Sequence, residues 1–160
     1  MRVKPVVLGA LVGVLLTAVD GARAEETPRM GGVLKVATIG EPPTLDIAMS
    51  TATQVYELMW HASESLFTYD RNFSPIPMLA ESYTVGDKGL RYTITLRRGV
   101  KFHNGKEMTS ADVVPSLKRW AALASVGKVL AKSIEAIEAR DASTVLIHLK
   151  QPSGSLLYGL

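Results

Sequence analysis

The pattern of apolar and polar residues changes period several times along the chain, and each change predicts a separate element. Val33 to Ile39 is a short β-branched run that predicts a buried strand. Pro42 and Pro43 end this run, because proline cannot donate to a sheet ladder. From Thr51 the apolar residues recur at helical spacing and predict one apolar stripe on a helix. This stripe consists of Val55, Leu58, Met59, Ala62 and Leu66.

Two helix starts are predicted from capping residues. Thr51 followed by Gln54 matches a capping box, and Thr109 followed by Asp112 has the acidic side chain that a helix start favours. The second helix contains Pro115, whose missing amide and crowded ring predict a kink or a delayed start. Its predicted buried face is Val113, Leu117, Trp120 and Ala121.

Two antiparallel hairpins are predicted in the second half of the chain. Residues 90–96 alternate apolar and polar side chains, and the turn-forming residues 86–89 join this strand to residues 83–85. Residues 137–139 and 145–149 form a second pair around a short polar turn. Strands and helices are therefore mixed, which predicts an α/β or α+β lobe.

The first residues have the pattern of a secretory signal peptide. Arg2 and Lys4 give a positive start, and Val6 to Val19 is an apolar run without charge. Ala22-Arg23-Ala24 has the small-x-small pattern of a cleavage site, so we expect cleavage after Ala24. An uncleaved membrane anchor is disfavoured, because the run is shorter than the roughly 20 apolar residues of a spanning helix. We expect residues 1–24 to be removed and residues 25–30 to form a flexible leader.

Composition narrows the class of protein further. The chain has no cysteine, so an exported form can have neither a disulfide nor a lipid anchor on an N-terminal cysteine. The net charge of +3 includes the signal peptide, and its removal leaves 15 basic and 14 acidic side chains. These charges are scattered and not gathered into a basic stripe, which argues against nucleic-acid binding. We expect a periplasmic protein that is soluble, monomeric and free of a lipid anchor.

No catalytic, cofactor or metal motif is found in the sequence. His61, His103 and His148 are the three histidines, and none lies three or four residues from another, as a local zinc motif would require. A Gly-x-Ser-x-Gly elbow and a phosphate-binding loop are also missing. We therefore expect neither a cofactor nor a bound metal in this chain, and we do not expect an enzyme.

Several segments, in the same order, resemble the family 5 extracellular solute-binding proteins of peptide, dipeptide and nickel importers. The most specific similarity is residues 90–118, which include the sequence Arg97-Arg98-Gly99-Val100-Lys101-Phe102-His103-Asn104-Gly105. The other matching segments are Gly32 to Ala37, Glu41 to Asp46, Glu64 to Asp70, Pro77 to Tyr83 and Val145 to Pro152.

This resemblance implies a fold and a domain organisation. It implies the two-lobed α/β fold of the type II periplasmic binding proteins, in which residues 31–160 are an incomplete N-terminal part of the solute-binding domain. Family members are several times longer than this chain. Much of residues 99–112 suits tight turns and a helix cap, so this segment is expected to serve as scaffold and not as a ligand contact.

The resemblance also implies a function. The protein would capture di- or oligopeptides and deliver them to the permease subunits of an ABC importer in the inner membrane. Another solute, such as a nickel chelate, glutathione or an opine-like compound, is the alternative, and an exported hydrolase is a more remote one. The family suggests that the segment after the opening strand faces the cleft. The candidate ligand contacts are Met49, Ser50, Thr51, Thr53 and Gln54, although residues 50–54 could equally serve only to cap the following helix.

Overall fold

The computed structural model describes residues 30–160, and the chain divides into two units, Met1–Ala37 and Thr38–Leu160. The predicted signal peptide and its cleavage site at Ala24 lie outside the described residues. The predicted buried strand at Val33–Ile39 is wrong. No strand is formed there, and Val33 and Leu34 are 89% and 88% exposed. A strand needs a neighbour to pair its amides and carbonyls, and none of the described strands pairs with this run.

The described residues contain four α-helices, a short 3-10 helix at Asp87–Gly89 and six strands. The helices are α1 (Thr53–Met59), α2 (Ser110–Leu123), α3 (Ser125–Ala131) and α4 (Leu156–Gly159). The strands are β1 (Phe67–Tyr69), β2 (Pro75–Pro77), β3 (Ala80–Gly86), β4 (Arg91–Leu96), β5 (Ile134–Asp141) and β6 (Thr144–Leu149). Strands β1 and β2 form a small hairpin, and the other four form an antiparallel sheet in the order β3-β4-β6-β5.

Both predicted hairpins of the larger sheet are confirmed. Strand β4 pairs with β3 on one side and β6 on the other, and the partners of β6 are β4 and β5. The alternation in β4 points Tyr92, Ile94 and Leu96 into the core, where each is less than 10% exposed. Val145 and Ile147 of β6 lie opposite Ile94 and Tyr92 and are fully buried. Burial of this apolar face holds the sheet to its helices.

Helix α2 begins where the sequence predicts. The N-cap is Thr109 as predicted, and the Thr109 amide donates to the Asp112 Oδ2 atom at 3.0 Å as part of a capping box. Val113 and Leu117 are buried as predicted, and Trp120 and Ala121 are half-buried. The delayed start predicted from Pro115 is wrong, because the helix runs without interruption from Ser110 and carries this proline on its exposed side. The predicted kink stays a prediction.

Helices α2 and α3 approach closely at a glycine. A Cβ atom on Gly127 would lie 2.1 Å from the Trp120 carbonyl oxygen and 3.1 Å from the Ala121 Cα atom. Only a residue without a side chain fits at that distance, so Gly127 is required for the sharp turn between the two helices. The absence of a side chain at Gly127 thus allows α3 to pack closely against the end of α2.

Candidate functional site

The five predicted ligand contacts lie in one exposed segment, which we call the opening loop and define as residues 38–54. Met49 is 67% exposed, Thr51 and Thr53 are exposed, and Ser50 and Gln54 are half-buried. The structure therefore brings the five residues together at the end of the loop and the first turn of α1. A thioether, three hydroxyls and an amide are presented there, which can contact apolar groups and form hydrogen bonds with a solute.

The capping box predicted for α1 is wrong. The N-cap is Ala52, with extended backbone angles, and no side chain caps the helix. The helix begins one residue later than the capping box predicted, so Thr51 lies before the cap position and Gln54 lies in the first turn. The Ser50 hydroxyl instead accepts a hydrogen bond from the Ala52 amide at 3.1 Å. Of the five side chains, Ser50 thus supports the backbone that leads into the helix.

The conformation of the opening loop is organised around Asp46. The Asp46 Oδ1 atom accepts from the Ala48 amide at 3.0 Å, and its carbonyl accepts from the Met49 amide at 3.1 Å. Its own amide donates to the Thr44 hydroxyl at 3.1 Å. These bonds form a compact turn directly before the candidate contacts. Asp46 was not a predicted site residue, although it is part of a segment that resembles the family.

Asp46 also forms a bidentate ion pair with Arg119 of α2. The Nη1 atom of Arg119 donates to Oδ1 at 3.0 Å, and the Nη2 atom donates to Oδ2. The hydrogen bond from Arg119 lowers the pKa of Asp46 below its ordinary value, and the same bond raises the pKa of Arg119. Both groups therefore stay charged around neutral pH. The partners are 73 residues apart, so no local sequence pattern indicates this pair.

The two ends of the opening loop lie close together. The Thr38 hydroxyl donates to the Glu57 carboxylate at 2.9 Å. A Cβ atom on Gly40 would lie 3.9 Å from the Gln54 side-chain nitrogen, so the start of the loop passes beside the first turn of α1. The loop is thus closed at its base and attached at its middle to α2.

Exposed aromatic and aliphatic side chains occur in the opening loop and along α1. Tyr56 and Trp60 have ring centroids 5.8 Å apart, and Trp60 is 74% exposed. Leu45, Ile47 and Leu58 are also between 41% and 59% exposed. A mixed surface of this kind suits contact with an organic solute that has both apolar and polar groups.

The three histidines lie on separate segments of the chain. His61 and His103 are exposed, and His148 is half-buried in β6. No group of three or more histidine, aspartate or glutamate side chains in residues 30–160 could hold a metal ion. Within the same residues, no helix has the length and apolar character needed to cross a membrane.

Comparisons with known families and with individual proteins both find solute-binding proteins that are similar to this chain. The model of the bacterial extracellular solute-binding proteins, family 5, matches residues 74–160, which is more than half of the chain. The probable peptide ABC transporter periplasmic-binding protein y4tO of Sinorhizobium fredii is 33% identical over 89% of the chain. The glutathione-binding protein GsiB of Salmonella choleraesuis is 43% identical over 59% of the chain. The chain spans 25% and 19% of the length of these two relatives.

A solved structure shows the same fold. The oligopeptide-binding protein AppA of Bacillus subtilis, in complex with a nonapeptide, matches 76% of the chain with a TM-score of 0.67 and 29% identity. The match covers 24% of AppA. The predicted fold class is therefore confirmed, with mixed helices and strands that correspond to part of a two-lobed periplasmic binding protein. The family match and these similarities show that the chain belongs to the family 5 bacterial extracellular solute-binding proteins.

Proposed function

We propose that the protein is the periplasmic receptor of an ABC importer, which captures di- or oligopeptides and delivers them to the permease subunits. Membership of the solute-binding family supports the receptor role. The peptide specificity is supported by the relative named as a peptide transporter component and by the fold shared with a nonapeptide-bound protein. Binding is the whole of the proposed activity, and no bond in the solute is broken.

The observation that carries this proposal within the chain is the composition of the opening loop. Thr51 and Thr53 present hydroxyls to solvent, Gln54 adds an amide, and Met49 gives a flexible apolar contact. Hydroxyls and amides can pair with the repeating N–H and C=O groups of a peptide without reading its side chains. Methionine adapts its shape to different partners, which favours tolerance of varied sequences. We propose these residues and Ser50 as ligand contacts.

A second candidate is glutathione binding, because a relative that is 43% identical bears that function in its name. Glutathione has amide groups and two free carboxylates, so the same hydroxyls and amide could contact it. The two candidates differ in the length and charge of the solute that the cleft would accept.

A thermal-shift screen of the purified full-length protein separates these candidates. The screen uses alanine peptides of increasing length, glutathione and a nickel–histidine complex. A solute at 100 times its dissociation constant stabilises the folded protein by about 2.7 kcal/mol, which gives a clear increase in melting temperature. We expect stabilisation by one or more peptides, with each peptide recovered intact by mass spectrometry.

Other outcomes of the screen would change the assignment. Stabilisation by glutathione alone would favour the second candidate, and stabilisation by the nickel complex alone would favour a metal-chelate receptor. Recovery of cleaved peptides would contradict a receptor and indicate an exported hydrolase.

We also propose export to the periplasm through the predicted signal peptide. The relative from Sinorhizobium fredii is named a periplasmic-binding protein. N-terminal sequencing of the protein recovered from a periplasmic extract should give Glu25 as the first residue. A protein that retains Met1 and stays with the membrane fraction would contradict cleavage after Ala24.

A further inference from the structure

We propose that Arg119 is a positioning residue for the solute, because it holds the opening loop in its binding conformation through Asp46. This inference deepens the proposed function and rests on it. Arg119 itself lies on α2, outside the set of candidate contacts. Its effect on binding would be transmitted through the loop and not through direct contact with the solute.

The opening loop is not held in place by a fully buried apolar side chain. Every residue from 38 to 54 is exposed or half-buried, whereas the neighbouring Val55 on α1 is fully buried. A segment with little buried surface depends on hydrogen bonds for its conformation and is otherwise among the least stable parts of a protein.

Several hydrogen bonds of this segment instead converge on one residue, Asp46. Its carboxylate accepts from the Ala48 amide, and its carbonyl accepts from the Met49 amide. Its own amide donates to the Thr44 hydroxyl. Met49 is also the first candidate contact, so the turn at Asp46 determines where the contacts begin. Movement of this carboxylate would displace the residues that follow it.

In the described part of the chain, only Arg119 connects the Asp46 carboxylate to the helix-and-sheet scaffold. Each terminal guanidinium nitrogen donates to a different carboxylate oxygen, and this geometry fixes the orientation of the carboxylate as well as its position. Lysine has a single ammonium group and cannot form the same bidentate ion pair. The side chains of Arg119 and Asp46 are 49% and 30% exposed, so the pair contributes mainly to geometry and little to overall stability.

The test compares Arg119→Ala, Arg119→Lys and the control Lys118→Ala in the full-length protein. Lys118 is the adjacent exposed cation on α2 and is not paired with Asp46. Calorimetry measures the affinity for the alanine peptides and for glutathione. Hydrogen exchange measures protection of the Ala48 and Met49 amides, and thermal unfolding measures stability.

For Arg119→Ala we expect an affinity weaker by about fivefold, since ordering a released loop on binding costs free energy. The Ala48 and Met49 amides should exchange faster, and the melting temperature should stay close to that of the wild type. Arg119→Lys should recover part of the affinity, and Lys118→Ala should match the wild type in all three measurements.

Two results would overturn the inference. One is an unchanged affinity in Arg119→Ala while the wild type binds a probe. The other is unchanged exchange of the Ala48 and Met49 amides, which decides the question even if the wild type binds none of the probes. A wild type that binds no probe, together with faster exchange in Arg119→Ala, would contradict the proposed function and leave the positioning role of Arg119 supported.

Discussion

The sheet with its packed helices and the opening loop are stabilised in different ways. In the sheet, Ile94, Val145 and Ile147 are fully buried, and the backbone of β4 is paired on both sides. In the opening loop no residue is buried, and hydrogen bonds to Asp46 determine the conformation. The comparison shows that the residues that stabilise this protein are separate from those proposed to bind its solute. Substitutions should therefore affect stability in one region and affinity in the other.

The largest effect on stability is expected from Ile94→Ala in β4. Ile94 is fully buried, and removing its side chain leaves a cavity that costs about 2–5 kcal/mol of unfolding free energy. Urea denaturation of the full-length protein measures this change. The matched control is Ile47→Ala in the opening loop, where the side chain is 41% exposed and the change should stay within about 0.5 kcal/mol. Equal losses in the two variants would contradict the separation of the two regions.

The next largest loss is expected from Gly127→Ala in α3. The added Cβ would lie 2.1 Å from the Trp120 carbonyl oxygen, so the helices must shift, at a cost of about 1–3 kcal/mol. Gly40→Ala in the opening loop is the control, because the nearest atom to its Cβ would be 3.9 Å away. Urea denaturation should separate the two variants, and a Gly127→Ala protein as stable as the wild type would show that α3 can move away freely.

A gain in stability is expected from Pro115→Ala in α2. Proline in a helix interior lacks an amide donor, whereas alanine restores it, although alanine also makes the unfolded chain more flexible. We expect a net gain of about 1–2 kcal/mol, with more helical signal in circular dichroism. The predicted kink would be contradicted if the variant showed no gain in either measurement.

The cap of α2 is expected to make a pH-dependent contribution to the free energy of unfolding. The Lys106 ammonium, 2.6 Å from the Asp112 carboxylate, is the main cause that lowers the pKa of Asp112 below its ordinary value of 3.8. Ionised Asp112 therefore stabilises the fold above about pH 4, and this contribution is lost as the pH falls through the lower folded pKa. Unfolding curves recorded at decreasing pH should converge for the wild type and Asp112→Asn. Parallel curves across this range would contradict the assignment.

The smallest effect on stability and a clear effect on binding are expected from Thr51→Ala combined with Thr53→Ala. Both side chains are exposed, so the unfolding free energy should change by no more than about 0.5 kcal/mol. Each lost hydrogen bond to the solute should weaken affinity by about fivefold. Calorimetry with alanine peptides checks the affinity. An unchanged affinity would remove these two residues from the proposed site.

Local chemistry explains which elements could be predicted from the sequence. The β3–β4 and β5–β6 hairpins follow from alternating side chains and short turns, and the start of α2 follows from Thr109 and Asp112. Each of these signals acts between residues that are close in the chain. The capping residues predicted at Thr51 are wrong, because the helix is capped at Ala52 and no local pattern indicated the preceding turn at Asp46.

The sequence by itself therefore determined the hairpins, the cap of α2 and, through family resemblance, the segment proposed to meet the solute. Tertiary structure decided the rest. Val33 to Ile39 has the composition of a buried strand but is exposed, because burial of a strand depends on a paired neighbour and not on its own residues. The contact between Asp46 and Arg119 spans 73 residues and exists only once α2 has packed on the sheet. Contacts between distant segments depend on how complete elements pack, and a local pattern contains no information about them.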